Sequence, residues 1–328
     1  MNEQVCARVL AAWVGWVFLI ACCAVLAAAP EYPTRPLRLV VPFAPGGGAD
    51  TLARIITPKL GEAMGQQWVV DNRGGAGGNV AAEIVVQAAP DGHTVFLGFN
   101  TVLTVNPTLV KLPYQVERDL QPVTLLATAQ YILVLHPGVP ASTLKEFIAR
   151  AKEKPGGYNY SSGGVGTPLH LAAELFSRRA GIRMVHVPYK GGGPAAAAVL
   201  SGEVQVLFGS VASSMPHVKS GRLRALATTA LKRSKVAPQL PTLAESGFPG
   251  FDVTSWYALL LPAGTPAAIG QRLHREATRA VTLPDVQQAA ARQGLEIETS
   301  TPQELAHRIK IETAVWAELI KAAGIRAD

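Results

Sequence analysis

The chain has 328 residues, 48% apolar and 16% charged, the composition of an ordered globular protein long enough for roughly two domains. Its net charge of +7 is scattered. The densest basic cluster, Lys232-Arg233-Ser234-Lys235, is short and has no aromatic interleaving, which argues against a nucleic-acid partner.

Residues 9–29 form an unbroken apolar run behind Arg8, followed by the polar start Glu31-Tyr32-Pro33-Thr34-Arg35. The pattern is an export signal over residues 1–29. Three endings stay open: ordinary cleavage after Ala27-Ala28-Ala29, lipoprotein-type cleavage before Cys22, or retention as a membrane anchor. All three put the folded part outside the cytoplasm. Cys6, Cys22 and Cys23 all lie in that segment, so no disulfide, cysteine nucleophile or cysteine-ligated zinc is expected beyond it.

Residues 39–41 read as a short buried strand that runs into a glycine-rich loop, Phe43-Ala44-Pro45-Gly46-Gly47-Gly48-Ala49-Asp50. A helix follows from Asp50, because Leu52, Ile55, Ile56, Leu60 and Met64 fall on one helical face. Pro58 lies inside that helix and should kink it. Uncovered glycine N–H groups at a helix N-terminus suit a small carboxylate, whereas the spacing fits neither a P-loop nor a dinucleotide fingerprint. Asp50 reads first as an N-cap; facing a cleft instead, it would repel a carboxylate and favour an amino acid.

Further strands are expected over residues 68–70 and 94–98, with a helix over 81–89 between them. The cluster Gly74-Gly75-Ala76-Gly77-Gly78 lacks dinucleotide spacing and reads as a structural turn. A second series of units begins after the apolar run 132–135, with a helix over 142–152 and a strand over 158–160. Ser161-Ser162-Gly163-Gly164-Val165-Gly166 is a second glycine-rich loop, feeding a helix with Thr167 as N-cap, Pro168 at its first position and Gly181 past its end. Ser161, Ser162 and Thr167 carry hydroxyls that can bond a carboxylate or satisfy the loop itself. His170, in the first turn, reads equally as packed or as a ligand contact.

Strands over 184–188 and 204–209 follow, joined by Gly191-Gly192-Gly193-Pro194 and an alanine-rich helix, and Tyr189 offers a further cleft lining. Residues 251–262 are extended, and the last helix opens on the capping box Thr301-Pro302-Gln303-Glu304, with Leu305, Ile309, Trp316 and Leu319 toward the core. The fold class is α/β with a mainly parallel sheet, in two lobes facing one another. Crossovers near residues 129–135 and 254–261 divide the chain into 30–130 plus 254–328 and 131–253, with the C-terminal helices returning to the first lobe. No Gly-x-Ser-x-Gly elbow or His-Glu-x-x-His helix occurs, the seven histidines show no metal spacing, and no cofactor is implied; an enzyme is not expected.

The chain resembles the extracytoplasmic receptors of tripartite tricarboxylate transporters, the Bug proteins. The resemblance rests on Tyr32-Pro-Thr-Arg-Pro-Leu-Arg38, Val41-Pro-Phe-Ala-Pro-Gly-Gly-Gly-Ala-Asp50, Asp71-Asn-Arg-Gly-Gly-Ala-Gly-Gly78, Ala89-Pro-Asp-Gly-His-Thr94, the loop from Ser161 with His170-Leu-Ala-Ala-Glu-Leu-Phe176, and Val187-Pro-Tyr-Lys-Gly-Gly-Gly-Pro194. Pro241-Thr-Leu-Ala-Glu-Ser-Gly247 and Trp256-Tyr257 also fit. It implies a periplasmic, two-lobed Venus-flytrap fold whose loops at Phe43–Asp50 and Ser161–Thr167 grip a carboxylate through backbone groups and waters. Residues near Asn100-Thr101 and Gly209-Ser210 would then contact the far end of the ligand. The implied partner is a membrane permease, with a signalling protein as the alternative, and the protein would be a monomer. Two departures stand out: Pro58 in the first helix, and His93 where a tyrosine is usual.

Overall fold

A computed structural model describes residues 32–189, 191–235 and 237–326. The export segment with its three cysteines, and Lys190, lie outside the described residues. From Arg35 onward the chain forms one compact unit.

Three parallel strands, β1 (Leu37–Val41), β2 (Trp68–Asn72) and β3 (Thr94–Phe99), begin the sheet in the order β2-β1-β3. Leu37, Leu39, Val40 and Val41 of β1 are all fully buried, as expected of a strand covered on both faces. The longest strand, β4 (Leu120–Leu135), carries 16 residues and serves both halves of the molecule. Its first part pairs antiparallel with β9 (Thr254–Pro262), which lies between β3 and β4. Its last five residues pair antiparallel with β7 (Val206–Ser210), which continues through β5 (Asn159–Ser162) to β6 (Val185–Pro188) in a second parallel set. Two strands are not announced by the sequence pattern: β8 (Arg224–Thr228) and the two-residue β10 (Glu296–Ile297), both on β4.

The sheet is therefore mixed, not mainly parallel. Two parallel triplets are joined by antiparallel strands because β4 leaves the first half and β9 returns to it.

The first helix, α1 (Gly48–Met64), starts two residues before Asp50, on an extended Gly47. It runs unbroken through Pro58, so the expected kink does not interrupt it. Leu52, Ala53, Ile56, Leu60 and Met64 bury its inner face, and that packing outweighs the helix-breaking preference of one proline. The short helices are α2 (Asn79–Val86), α3 (Asn106–Leu109) and α4 (Val116–Asp119). In the second half, α5 (Leu144–Glu153) and α6 (Pro168–Ala180) cover one sheet face, and α7 (Gly192–Leu200) and α8 (Val211–Lys219) cover the other. Then α9 (Ala267–Val281) and α10 (Pro284–Arg292) precede α11 (Pro302–Ala323).

The last helix corrects a second expectation. Leu305 and Ile309 pack with Val40, Phe96 and Trp256 in the first core, but Trp316, Leu319 and Ile320 pack with Leu133, Phe176 and Phe208 in the second. At 22 residues α11 is about 33 Å long, enough to reach both cores. The capping box holds as read: the Thr301 side chain accepts from Glu304 N–H, and the Glu304 carboxylate accepts from Thr301 N–H. Among the described residues, no helix is long and apolar enough to cross a membrane.

Candidate functional site

The register of β4 turns the strand ends that carry the two glycine loops toward one another. Phe99, which ends β3, pairs with Tyr257, and Tyr257 pairs with Ala127 of β4. Ser210, which ends β7, pairs with Tyr131 of the same strand. The carboxyl ends of the two parallel triplets are thus separated by four residues of β4, about 13 Å at the usual strand rise. Ligands of open α/β sheets bind beyond the carboxyl ends of their parallel strands.

The first loop leaves β1 and is anchored from behind, Asn72 Nδ2 donating to the Phe43 carbonyl at 2.9 Å. The Phe43 ring meets Phe99 edge-on at 5.3 Å, and Phe99 in turn lies 5.1 Å from Tyr257. Gly46 holds φ +87°, a conformation that excludes most side chains. Gly47, the N-cap, has no side chain to cover the orphan first-turn N–H groups of α1. Gly48 lies so near Tyr257 that an added Cβ would stand 2.7 Å from the phenol oxygen. Burial pushes the Tyr257 hydroxyl up to about 12, so at neutral pH it is a proton donor beside the helix N-terminus. The sequence gives no sign of this role, since the proximity of Tyr257 to Gly48 depends on β9 pairing with β3.

Asp50 is not the N-cap. It is buried in the first turn, where its carboxylate accepts from Gly46 N–H at 2.9 Å and pairs with Arg54 at 3.0 Å. The Arg54 hydrogen bond leads in holding its pKa below the usual range. A charge so occupied neither repels a carboxylate strongly nor waits for an ammonium.

The second loop leaves β5, and its side chains turn inward. Ser161 Oγ donates to the Ala195 carbonyl at 2.9 Å, and Thr167 Oγ1 donates to the Gly164 carbonyl at 2.7 Å. Ser162 Oγ accepts from Gly164 N–H at 3.1 Å and lies 2.6 Å from His186 Nε2. These hydroxyls are spent on the loop itself, one of the two uses the sequence allowed. What remains exposed is backbone and the Val165 side chain. Thr167 makes no side-chain cap, so the first turn of α6, whose first residue Pro168 has no N–H, keeps the Leu169 and His170 N–H groups uncovered. Gly163 packs so tightly on the third glycine loop that a Cβ there would stand 3.2 Å from the Gly191 carbonyl carbon. Gly166 takes φ +75°, and an added Cβ there would stand 2.9 Å from Leu109 Cδ1 of α3.

His170 is buried and does not present its ring to a ligand; Nδ1 accepts from Gly166 N–H at 3.1 Å. His186, which no spacing singles out, stacks on it at 4.0 Å because β5 and β6 pair Tyr160 with His186.

The remaining candidates fall around the same edge in varied states. Asn100, after β3, is buried, donates Nδ2 to the Thr254 carbonyl at 3.0 Å, and leaves Oδ1 without a partner among the described residues. Thr101 opens a buried π-helical turn, Thr101–Val105. The Tyr189 hydroxyl is turned to Glu203 at 2.9 Å. Gly209 is buried within β7, and Ser210 caps α8, accepting from Ser213 N–H at 3.1 Å. The Gly74–Gly78 cluster is a turn, tied by Asn106 Nδ2 to the Gly77 carbonyl at 3.1 Å.

A separate cavity of about 440 Å³ opens on the other face of β4, lined by Thr128, Gln130, Asp252, Thr254 and Arg308. Side chains alternate along a strand, so Thr128 and Gln130 point away from the face shared by Ala127, Tyr131 and Tyr257. Its remaining walls mix Lys232, Arg233 and Lys235 with Glu296 and Glu298, without a glycine loop.

Comparison with known proteins finds relatives along most of the chain. The family model for the tripartite tricarboxylate transporter family receptor matches residues 52–325. A protein of Pseudomonas sp. strain P51, described as a UPF0065 protein in the tcbD–tcbE intergenic region, is 39% identical over 298 residues, covering 90% of this chain and 89% of that one. The structure of R. palustris Rpa4515 with adipate is 33% identical, covers 90% of this chain and 99% of its own, and superposes with a TM-score of 0.75. MatC from Rhodopseudomonas palustris with bound malate is 32% identical, covers 88% of this chain and 100% of its own, with a TM-score of 0.72.

Proposed function

Because this chain belongs to the tripartite tricarboxylate transporter receptor family, we propose that it captures a small organic carboxylate between two lobes and delivers it to a membrane permease. The lobes are residues 30–130 with 254–328, and residues 131–253. The apolar run at residues 9–29 supports action in the periplasm, after export. The relatives solved with malate and adipate favour a dicarboxylate.

The observation that carries this reading is the pair of helix N-termini, α1 and α6, that close the two carboxyl-edge loops without a side-chain cap. Each offers orphan N–H groups and the positive end of a helix dipole, which bind a carboxylate without burying a lysine or arginine beside it. Lobe closure removes water and strengthens those hydrogen bonds, and the closed shape is what a membrane partner reads.

The test is a thermal-shift screen of refolded protein against mono-, di- and tricarboxylates, aromatic acids and acidic amino acids. A ligand at a hundred times its Kd should add about 2.7 kcal/mol, a shift of a few degrees. No shift across the panel would sink the receptor reading. Gly47→Val localises the grip: Gly47 has φ −82° and an added Cβ meets nothing nearer than the Ala44 carbonyl at 3.8 Å, so the variant should fold. Its side chain would cover the first-turn N–H groups, and binding should be lost. Unchanged affinity would remove the first loop from the site.

A further inference from the structure

The second loop is built on glycines with several backbone conformations open to them, here Gly164 at φ +125° and Gly166 at φ +75°. Two stacked histidines behind the loop hold this one. Gly166 N–H points at His170 Nδ1, 3.1 Å away. A backbone N–H can only donate, so Nδ1 carries a lone pair and the neutral ring holds its proton on Nε2. His186 lies parallel at 4.0 Å, and its Nε2 reaches the Ser162 hydroxyl that receives Gly164 N–H. One ring thus holds Gly166 directly and the other holds Gly164 through Ser162.

The surroundings favour neutral rings. Burial, reinforced by His186, holds the His170 pKa down to about 4, and burial lowers that of His186. Tyr160 stacks on both rings and donates its hydroxyl to Glu174 at 2.5 Å, which occupies one oxygen of that carboxylate. Leu109, which packs on the same core, leaves little room beside Gly166, where an added Cβ would stand 2.9 Å from its Cδ1.

We infer that His170 is a positioning residue for ligand capture: its Nδ1 acceptor fixes Gly166, and through it the second loop's grip. This rests on the reading of that loop as half of a carboxylate grip. Losing the acceptor leaves the Gly166 N–H unpaired and frees a glycine to leave its left-handed conformation.

The experiment compares wild type, His170→Leu and His170→Asn at pH 7. Asparagine places an amide oxygen near the position of Nδ1 and can accept the same N–H; leucine cannot. Two readouts are taken: hydrogen exchange at the Gly166 amide without ligand, and calorimetric affinity for malate and adipate. His170→Leu should speed Gly166 exchange and weaken binding about tenfold, the effect of leaving one buried donor unpaired. His170→Asn should restore slow exchange and bring affinity back to within about threefold of wild type. Unchanged Gly166 exchange in His170→Leu overturns the inference. So does faster exchange with unchanged affinity, or asparagine restoring exchange without affinity. Wild type binding neither these two acids nor any member of the thermal-shift panel, while keeping a protected Gly166 amide, overturns the receptor reading, and separates that failure from a failure of the His170 contact.

Discussion

Gly48 and Tyr257 define how much room the first loop has. A methyl group at Gly48 would press on the rigid end of a buried ring, 2.7 Å from the phenol oxygen but 3.7 Å from the carbon that bears it. Gly48→Ala should therefore destabilise the protein by about 1–3 kcal/mol, the range for overpacking, read from the urea midpoint. In a Tyr257→Phe background the same change should cost much less, because the remaining ring carbon is at ordinary contact distance. Equal costs in both backgrounds would show that the hydroxyl does not set the limit. At this scale the sequence is informative about backbone and poor about side chains. Glycine runs at Gly46–Gly48 and Gly163–Gly166 betray left-handed turns and close approaches by residue type alone. The inward turn of Ser161, Ser162 and Thr167, and the pairing of Asp50 with Gly46 and Arg54, depend on rotamers and neighbours that no spacing encodes. His186 is silent in the sequence for a related reason: its partners stand on an adjacent strand and helix, distant along the chain.

Among the elements, α11 joins β4 in tying the halves together, and its junction with β9 is charged. Glu312 accepts hydrogen bonds from Trp256 Nε1 at 2.9 Å and from Arg308 Nε at 2.8 Å, while Arg308 also donates to Thr254 Oγ1 at 3.0 Å. Burial raises the Glu312 pKa despite the guanidinium beside it. Arg308→Leu would leave that part-buried carboxylate with only the Trp256 indole N–H, a loss of about 1–3 kcal/mol at pH 7 by urea denaturation. The sign of its pH dependence follows from the raised pKa. Below the native pKa the carboxyl is neutral and loses nothing by lacking a cation; above it the charge is part-buried without one, so the deficit should shrink as pH falls. A deficit that grows toward low pH would refute this assignment. Helix α11 is well announced by its capping box and apolar spacing, yet its double allegiance is not, since Leu305 and Trp316 look alike as core residues until the two cores exist. Likewise β4 shows in the sequence only as separate apolar runs, and β10 is too short to carry a pattern.

For the whole molecule, three passages join the halves: β4, the return through residues 229–254, and α11 reaching both cores. With three ties and one compact unit from Arg35 onward, calorimetry of the ligand-free protein should show a single cooperative transition. Two resolved transitions would mean that α11 does not couple the cores. The order of strands has a consequence for how the chain comes to exist at all. Because β9 lies between β3 and β4, the first sheet lacks its middle member until residue 262 has been synthesised. Until then β3 and β4 each present an open edge able to pair with a stranger, and the pairing that closes β3, Phe96 with Leu260, spans half of the polypeptide. The chain is thus slow to commit to its final shape from the N-terminal side, a property that leaves the nascent protein pliable for as long as its last third is still being made.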